Sequence, residues 1–214
     1  MTKPTVLLAD DHKIMAEGLR SLLEPEFELT GMVADGRALM DAASKIHPDV
    51  IVADISMPLL NGIDAVRQIK ETDPNTRVVF LTMHADVAYA AAAFEAGASG
   101  YVLKHSAPKE LLTAIREVLQ GLTYVSPIIA GELMETYKKG NHVQSATVSK
   151  LSSRQREVLQ LLCEGKLAKE VAGILNISPR TVEFHKYKMM EVLHIDTFAE
   201  LVQFAVKHGI VSTS

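Results

Sequence analysis

Apolar positions along the first 121 residues follow two alternating periods. Short β-branched runs at 6–10, 29–33, 50–54, 78–82 and 100–104 predict strands. Between them, segments around 14–23, 37–45, 63–71, 87–96 and 108–120 carry the i, i+3, i+4 spacing of amphipathic helices. Five strand–helix repeats predict a doubly wound α/β domain, a five-stranded parallel sheet with helices on both faces. The runs VIVADI and RVVFLT are almost continuously apolar, as central strands buried on both faces must be.

Past Gly121 the strand signal stops. Pro127 opens IIAGELMETY, which reads as a further helix, and the polar stretch KKGNHVQSATVS has no periodicity and reads as a linker. From Leu151 the apolar residues Val158, Leu161 and Leu162, then Val171, Ile174 and Leu175, then Val182, Met189 and Leu193 mark three amphipathic helices. ILNISPRT separates the last two, with Ser178 as N-cap and Pro179 at the first helical position, so the pair reads as helix-turn-helix. The expected organisation is an α/β domain over 1–122, a connecting helix and linker over 123–148, and a small all-α domain over 149–214.

A composition that is 48% hydrophobic excludes a largely disordered chain. No stretch has the layout of a signal peptide and charges interrupt every long apolar run, so the expectation is a cytoplasmic protein with no membrane partner. The one cysteine, Cys163, excludes an internal disulfide or thiolate cluster and is expected in a core. The net charge of −4 hides an asymmetry: from Ser149 onward nine Lys+Arg face seven Asp+Glu, against 13 and 19 before it. An acidic front and a mildly basic back suggest different partners.

LLADDHKIM, residues 7–15, ends an apolar run in two adjacent aspartates. One aspartate suffices to cap a helix. In a parallel α/β sheet, functional groups collect at the carboxyl ends of the strands. There the pattern places Asp10 and Asp11 after the first strand, Asp54 at the third, Thr82 at the fourth and Lys104 at the fifth. Three clustered carboxylates repel one another unless a cation lies among them. With no His or Cys in a metal-ligand spacing nearby, hard oxygen donors favour Mg2+, with Mn2+ possible, over zinc. A carboxylate beside such an ion, a lysine and a hydroxyl suits nucleophilic attack on phosphorus.

Those residues, with DISMPLLNG, FLT and AGASGYVLK, make residues 4–122 resemble the receiver domains of two-component response regulators. The resemblance implies a flavodoxin-like fold and a phosphoacceptor at Asp54. It also implies an Mg2+ site of Asp10, Asp11, Asp54 and the backbone carbonyl of Ser56. Lys104 would pair with the phosphoryl group, Thr82 and Tyr101 would relay its arrival, and a histidine kinase would be the donor. Met83 departs from the small residue that many receivers carry after the threonine. His12 and His84 lie near the site but outside the shared motif.

With Val182 at the centre of its buried face, the last helix turns Arg180, Glu183, Phe184, Tyr187, Lys188 and Glu191 outward, while Lys186 lies nearer the buried edge. Outward aromatics among cations suit a recognition helix in the major groove of double-stranded promoter DNA. From Leu151 to about Ile210 the chain is similar to the LuxR-type helix-turn-helix of the NarL/FixJ response regulators, with Ala168 and Val192 standing where Asn and Lys are usual. That resemblance implies backbone contacts by Thr181, Lys186 and Lys188, base contacts by Glu183, Phe184 and Tyr187, and a phosphate contact by Lys169.

The expectation is a transcription regulator, not an enzyme, that forms a homodimer when phosphorylated. Phosphatases that use an aspartate nucleophile carry a second aspartate two residues later, and here that position is Ser56. A rival binding module, with a helical tail that takes protein, would lack salt-dependent DNA affinity.

Overall fold

A computed structural model describes residues 2–138 and 150–211, which fall into two compact units. The expected linker KKGNHVQSATVS spans 138–149, and all of it after Lys138 lies outside the described residues. In the first unit β1 (Thr5–Ala9), β2 (Glu28–Val33), β3 (Val50–Ala53), β4 (Arg77–Thr82) and β5 (Gly100–Leu103) alternate with helices. The helices are α1 (Lys13–Leu23), α2 (Gly36–Ile46), α3 (Gly62–Thr72), α4 (Val87–Glu95) and α5 (Ala107–Leu119). All strand pairs are parallel, in the order β2-β1-β3-β4-β5.

Strand residues two apart share a face of the sheet. Val6, Leu8, Val50, Val52, Val79, Leu81 and Val102 form one core with Ala16, Leu19 and Leu23 of α1 and Leu111, Ala114, Ile115 and Val118 of α5. The alternate residues Leu7, Ile51, Phe80 and Tyr101 are buried as well, which is why β3 and β4 read as unbroken apolar runs. Asp35 and Asp86 start α2 and α4, their carboxylates accepting from Arg37 and Ala38 N–H and from Ala88 N–H respectively.

Two features differ from the sequence expectation. The sheet gains a sixth strand, β6 (Tyr124–Val125), parallel to β5 and followed by α6 (Pro127–Lys138). Two residues cannot display a period, so no pattern announced it. In the second unit α7 (Ser153–Cys163), α8 (Ala168–Leu175) and α9 (Pro179–Leu193) match the expected three helices, and a fourth, α10 (Phe198–Lys207), follows. Its sequence carries an apolar face, with Leu201 and Ala205 buried, and Thr197 and Glu200 form a capping box whose T-x-x-E spacing is readable in the sequence.

Val158, Leu161, Val171, Leu175, Val182, Met189, Leu201 and Ala205 bring all four helices onto one core. Arg154 donates to the Leu175 carbonyl at 2.5 Å, which satisfies a C-terminal acceptor of α8 from α7. Asn176, at φ 52°, turns the chain between α8 and α9, and the Ser178 hydroxyl accepts from Thr181 N–H at 3.1 Å as the expected N-cap. Cys163 is half-buried against this core rather than inside it, and burial pushes its thiol up to about 12.

Candidate phosphoacceptor site and candidate nucleic-acid interface

The strand order reverses direction between β1 and β3, and a crevice at the carboxyl ends of the strands follows from that reversal. Ala9 pairs with Ala53 and Thr82 with Leu103, so Asp10 meets Asp54 and Thr82 lies beside the start of the turn that carries Lys104. Residues 44 and 50 positions apart in sequence thereby become neighbours.

Asp10, Asp54 and Lys104 are all buried. The Lys104 ammonium lies 2.7 Å from Asp10 Oδ2 and 2.8 Å from Asp54 Oδ2. Asp54 Oδ1 accepts from Ile55 N–H at 2.7 Å and Ser56 N–H at 3.3 Å. Burial pushes the Asp54 carboxyl above its ordinary range against the pull of Lys104. The same burial works against the Lys104 ammonium, but Asp54 and Asp10 hold its pKa above the usual lysine value. The cation expected among the carboxylates is therefore, in part, the protein's own lysine.

One ligand atom each from Asp10, Asp11, His12 and Asp54 lies within 4.8 Å of the others. Asp10 Oδ2 is buried and, despite its proximity to Lys104, is aligned for no hydrogen bond. A hard carboxylate set with one buried oxygen that accepts no hydrogen bond fits a small divalent cation. The nitrogen of His12 corrects the expectation of an all-oxygen neighbourhood, since its Nδ1 lies 2.8 Å from Asp11 Oδ1 and 3.3 Å from Asp10 Oδ1. Asp10 Oδ1 also accepts from His12 N–H at 2.8 Å, so Asp10 both turns the chain into α1 and faces the site.

Gly62 explains the last letter of DISMPLLNG. A Cβ there would lie 2.1 Å from the Asp54 carbonyl oxygen, and Gly62 N–H donates to the Ile55 carbonyl at 2.8 Å. Only a residue without a side chain lets α3 start against the backbone that carries Asp54.

Sequence reasoning left His84 without a role, and the structure makes it a junction. Its ring Nε2 shares a 2.7 Å hydrogen bond with Ser56 Oγ, and its N–H donates to Thr82 Oγ1 at 3.2 Å. Its carbonyl accepts from the Tyr101 hydroxyl at 2.8 Å, and its ring stacks on Tyr89 with centroids 3.9 Å apart. Burial favours the neutral imidazole, lowering its pKa, and pushes the Tyr101 phenol well above its ordinary value. Thr82 and Tyr101, expected as relay residues, are thus already joined through one intervening residue. Met83 points to solvent.

On α9, Val182 and Met189 are buried while Phe184 and Tyr187 are 63% and 62% exposed. Arg180 and Lys188 are exposed beside them, and Lys169 is exposed on α8. Lys186 pairs with Glu183 at 2.7 Å and lies 5.0 Å from the Tyr187 ring, and Lys188 pairs with Glu191 at 2.9 Å. The Thr181 hydroxyl lies 2.8 Å from that of Ser178, at the N-terminus of α9. At Ala168, α8 is preceded by Leu167, which has no polar side chain; the Glu170 carboxylate instead accepts from Leu167 N–H at 2.7 Å.

Residues 6–116 match the family described as response regulator receiver domain, and residues 149–205 the family described as bacterial regulatory proteins, luxR family. The transcriptional regulatory protein MctR of Rhizobium johnstonii is 35% identical, over 98% of this chain and 96% of its own. A LuxR-family two-component response regulator from Aurantimonas is similar in structure, with TM-score 0.61, 40% identity, and coverage of 64% of this chain and 99% of that one. RcsB of Salmonella enterica serovar Typhimurium, solved bound to a promoter in the presence of a phosphomimetic, aligns with TM-score 0.60 and 30% identity over 95% of this chain and 98% of that one.

Proposed function

The chain belongs to the response regulators that join a receiver domain to a LuxR-type helix-turn-helix, and from that premise we propose that Asp54 accepts a phosphoryl group from a histidine kinase. The observation that supports this most is the buried Asp54–Lys104–Asp10 cluster at the ends of three parallel strands. A buried carboxylate pair with a single lysine is costly to maintain for stability alone.

In the proposed reaction a carboxylate oxygen of Asp54 forms a bond to phosphorus as the donor's N–P bond breaks, giving an acyl phosphate. Asp10, Asp11, Asp54 and the Ser56 carbonyl would hold Mg2+ (or Mn2+), which supplies charge stabilisation for the phosphoryl oxygens. Lys104, already at 2.8 Å from Asp54, stays beside the group it must neutralise. Thr82, whose hydroxyl oxygen accepts from His84 N–H, donates its own proton to a phosphoryl oxygen, and Tyr101 follows through the His84 carbonyl. Ser56 offers no general acid for turnover, and its hydroxyl is engaged by His84, so the chain acts as a phosphorylated switch and not as a phosphatase.

The output is sequence-specific binding of double-stranded promoter DNA by α9. Glu183, Phe184 and Tyr187 face base edges, and Lys169, Arg180, Thr181, Lys186 and Lys188 meet phosphates. Two such helices in a phosphorylated homodimer read two half-sites. Its place of action is proposed to be the cytoplasm; among the described residues no helix is long and apolar enough to cross a membrane. The test is to phosphorylate wild type and Asp54→Ala with Mg2+ and to map the genomic DNA each binds. A hydroxylamine-labile phosphate on wild type alone, with a bound set that expands on phosphorylation, is expected. A label that persists in Asp54→Ala would overturn the assignment, and a bound set independent of Asp54 would overturn the switch.

A further inference from the structure

Ser126 bonds to several elements, and the proposed chemistry does not use it. It is 1% exposed and lies between β6 and α6. Its N–H donates to the Tyr101 carbonyl at 2.9 Å, and its hydroxyl accepts from Leu103 N–H at 3.1 Å. The hydroxyl donates in turn to the Glu110 carboxylate of α5. Its own carbonyl accepts from Ile129 N–H at 2.9 Å and Ala130 N–H at 3.0 Å, the first turn of α6.

Without β6 the outer edge of β5 would leave the Tyr101 carbonyl and the Leu103 N–H open. Ser126, directly after β6, closes both, one with its backbone and one with its side chain, so the turn out of β6 grips the end of β5. That end carries Tyr101, bonded to His84, and leads directly into Lys104, bonded to Asp54. The first turn of α6 is anchored by the fully buried Ile129, and α6 also lies against α4, whose Tyr89 stacks on His84. Both arms of the His84 junction therefore end on the same helix, one through β5 and Ser126, the other through α4.

We propose that Ser126 is a positioning residue that couples the carboxyl end of β5 to α6, making α6 the element through which a change at Asp54 leaves the first unit. This rests on the proposed phosphorylation of Asp54. Coupling needs an element with two arrangements whose balance the phosphoryl group shifts. A hydroxyl with one donor bond and one acceptor bond to different elements transmits a displacement of Leu103 that an alanine would not.

The test is amide hydrogen exchange of the full chain with and without beryllofluoride plus Mg2+, comparing wild type, Ser126→Ala and Ser126→Thr. In wild type, exchange should change in both residues 82–104 and residues 127–138. In Ser126→Ala the change at 82–104 persists while that at 127–138 falls by about fivefold or more, the lower end of typical coupling. Ser126→Thr, which keeps the hydroxyl, restores it. Should Ser126→Ala not fold, Glu110→Ala frees the hydroxyl to turn away from Leu103, and the response of α6 falls below that of wild type. An undiminished response of α6 in Ser126→Ala (or, if that does not fold, in Glu110→Ala), or a wild type in which 82–104 responds and 127–138 does not, overturns the inference. Absence of any response in wild type overturns the Asp54 reading instead.

Discussion

The Asp54 cluster and the outer face of α9 are built in opposite ways. The first gathers residues from the ends of β1, β3, β4 and β5, buries them, and leaves Lys104 only 3% exposed between two carboxylates. The second presents neighbours on one continuous helix, with Phe184 and Tyr187 open to solvent and every ion pair at the surface. Buried charge is expensive, and removing the partner of a buried charge leaves it uncompensated at a cost to folding. Exposed charge is cheap, so changes there fall on binding and leave the fold alone. Sensitivity of stability to mutation should therefore separate the two surfaces.

The largest effect is expected where both ligand-bearing positions are neutralised. Asp10→Asn with Asp11→Asn should fold, because Lys104 keeps Asp54 as partner, yet Mg2+-dependent acyl phosphate should drop to background in a phosphotransfer assay. Loss of folding would return Asp10 and Asp11 to a structural role. Next comes Lys104→Met, which strands two buried carboxylates and should cost about 3–5 kcal/mol in urea unfolding. That cost should shrink as pH falls: with its pKa raised by burial, Asp54 is stabilised by taking up a proton, so the folded state gains at lower pH.

Gly62→Ala follows, at about 1–3 kcal/mol, since its Cβ must displace the Asp54 backbone. An unchanged unfolding midpoint would mean that α3 can withdraw. On α9 the pattern should invert. Tyr187→Ala should leave unfolding within about 0.5 kcal/mol while weakening DNA binding by about 1–3 kcal/mol in a titration with a selected site. The smallest effect concerns α10. Hydrogen bonds from Asp196 and Thr197 N–H hold the Glu200 carboxyl below its ordinary range. Its contribution is present above the unfolded-state value and lost as pH falls through the lower folded one, so exchange at the start of α10 should quicken only in acid.

Much of this was legible beforehand because topology repeats. Short β-branched apolar runs mark the five main strands, and parallel connection sends Asp10, Asp54, Thr82 and Lys104 to one rim. Ser178 and Pro179 likewise announced α9. What stayed hidden has no period. β6 is two residues long, and Ser126 gains its meaning from Leu103 and Glu110, 23 and 16 positions away. His84 and His12 were placed near the site, but their bonds depend on the turn each loop takes, which spacing does not determine.

The ion pairs of α9 bear on where this protein spends its time. Random chromosomal DNA offers little beyond a row of phosphates, and in the proposed contacts Lys186 and Lys188 would have to release Glu183 and Glu191 to meet them. A site that also accepts a glutamate at a cytosine amino group and an aromatic ring at a thymine methyl repays that exchange, whereas bulk sequence does not. On the proposed reading of α9, fewer copies would then be held idle on the competing positions of a genome.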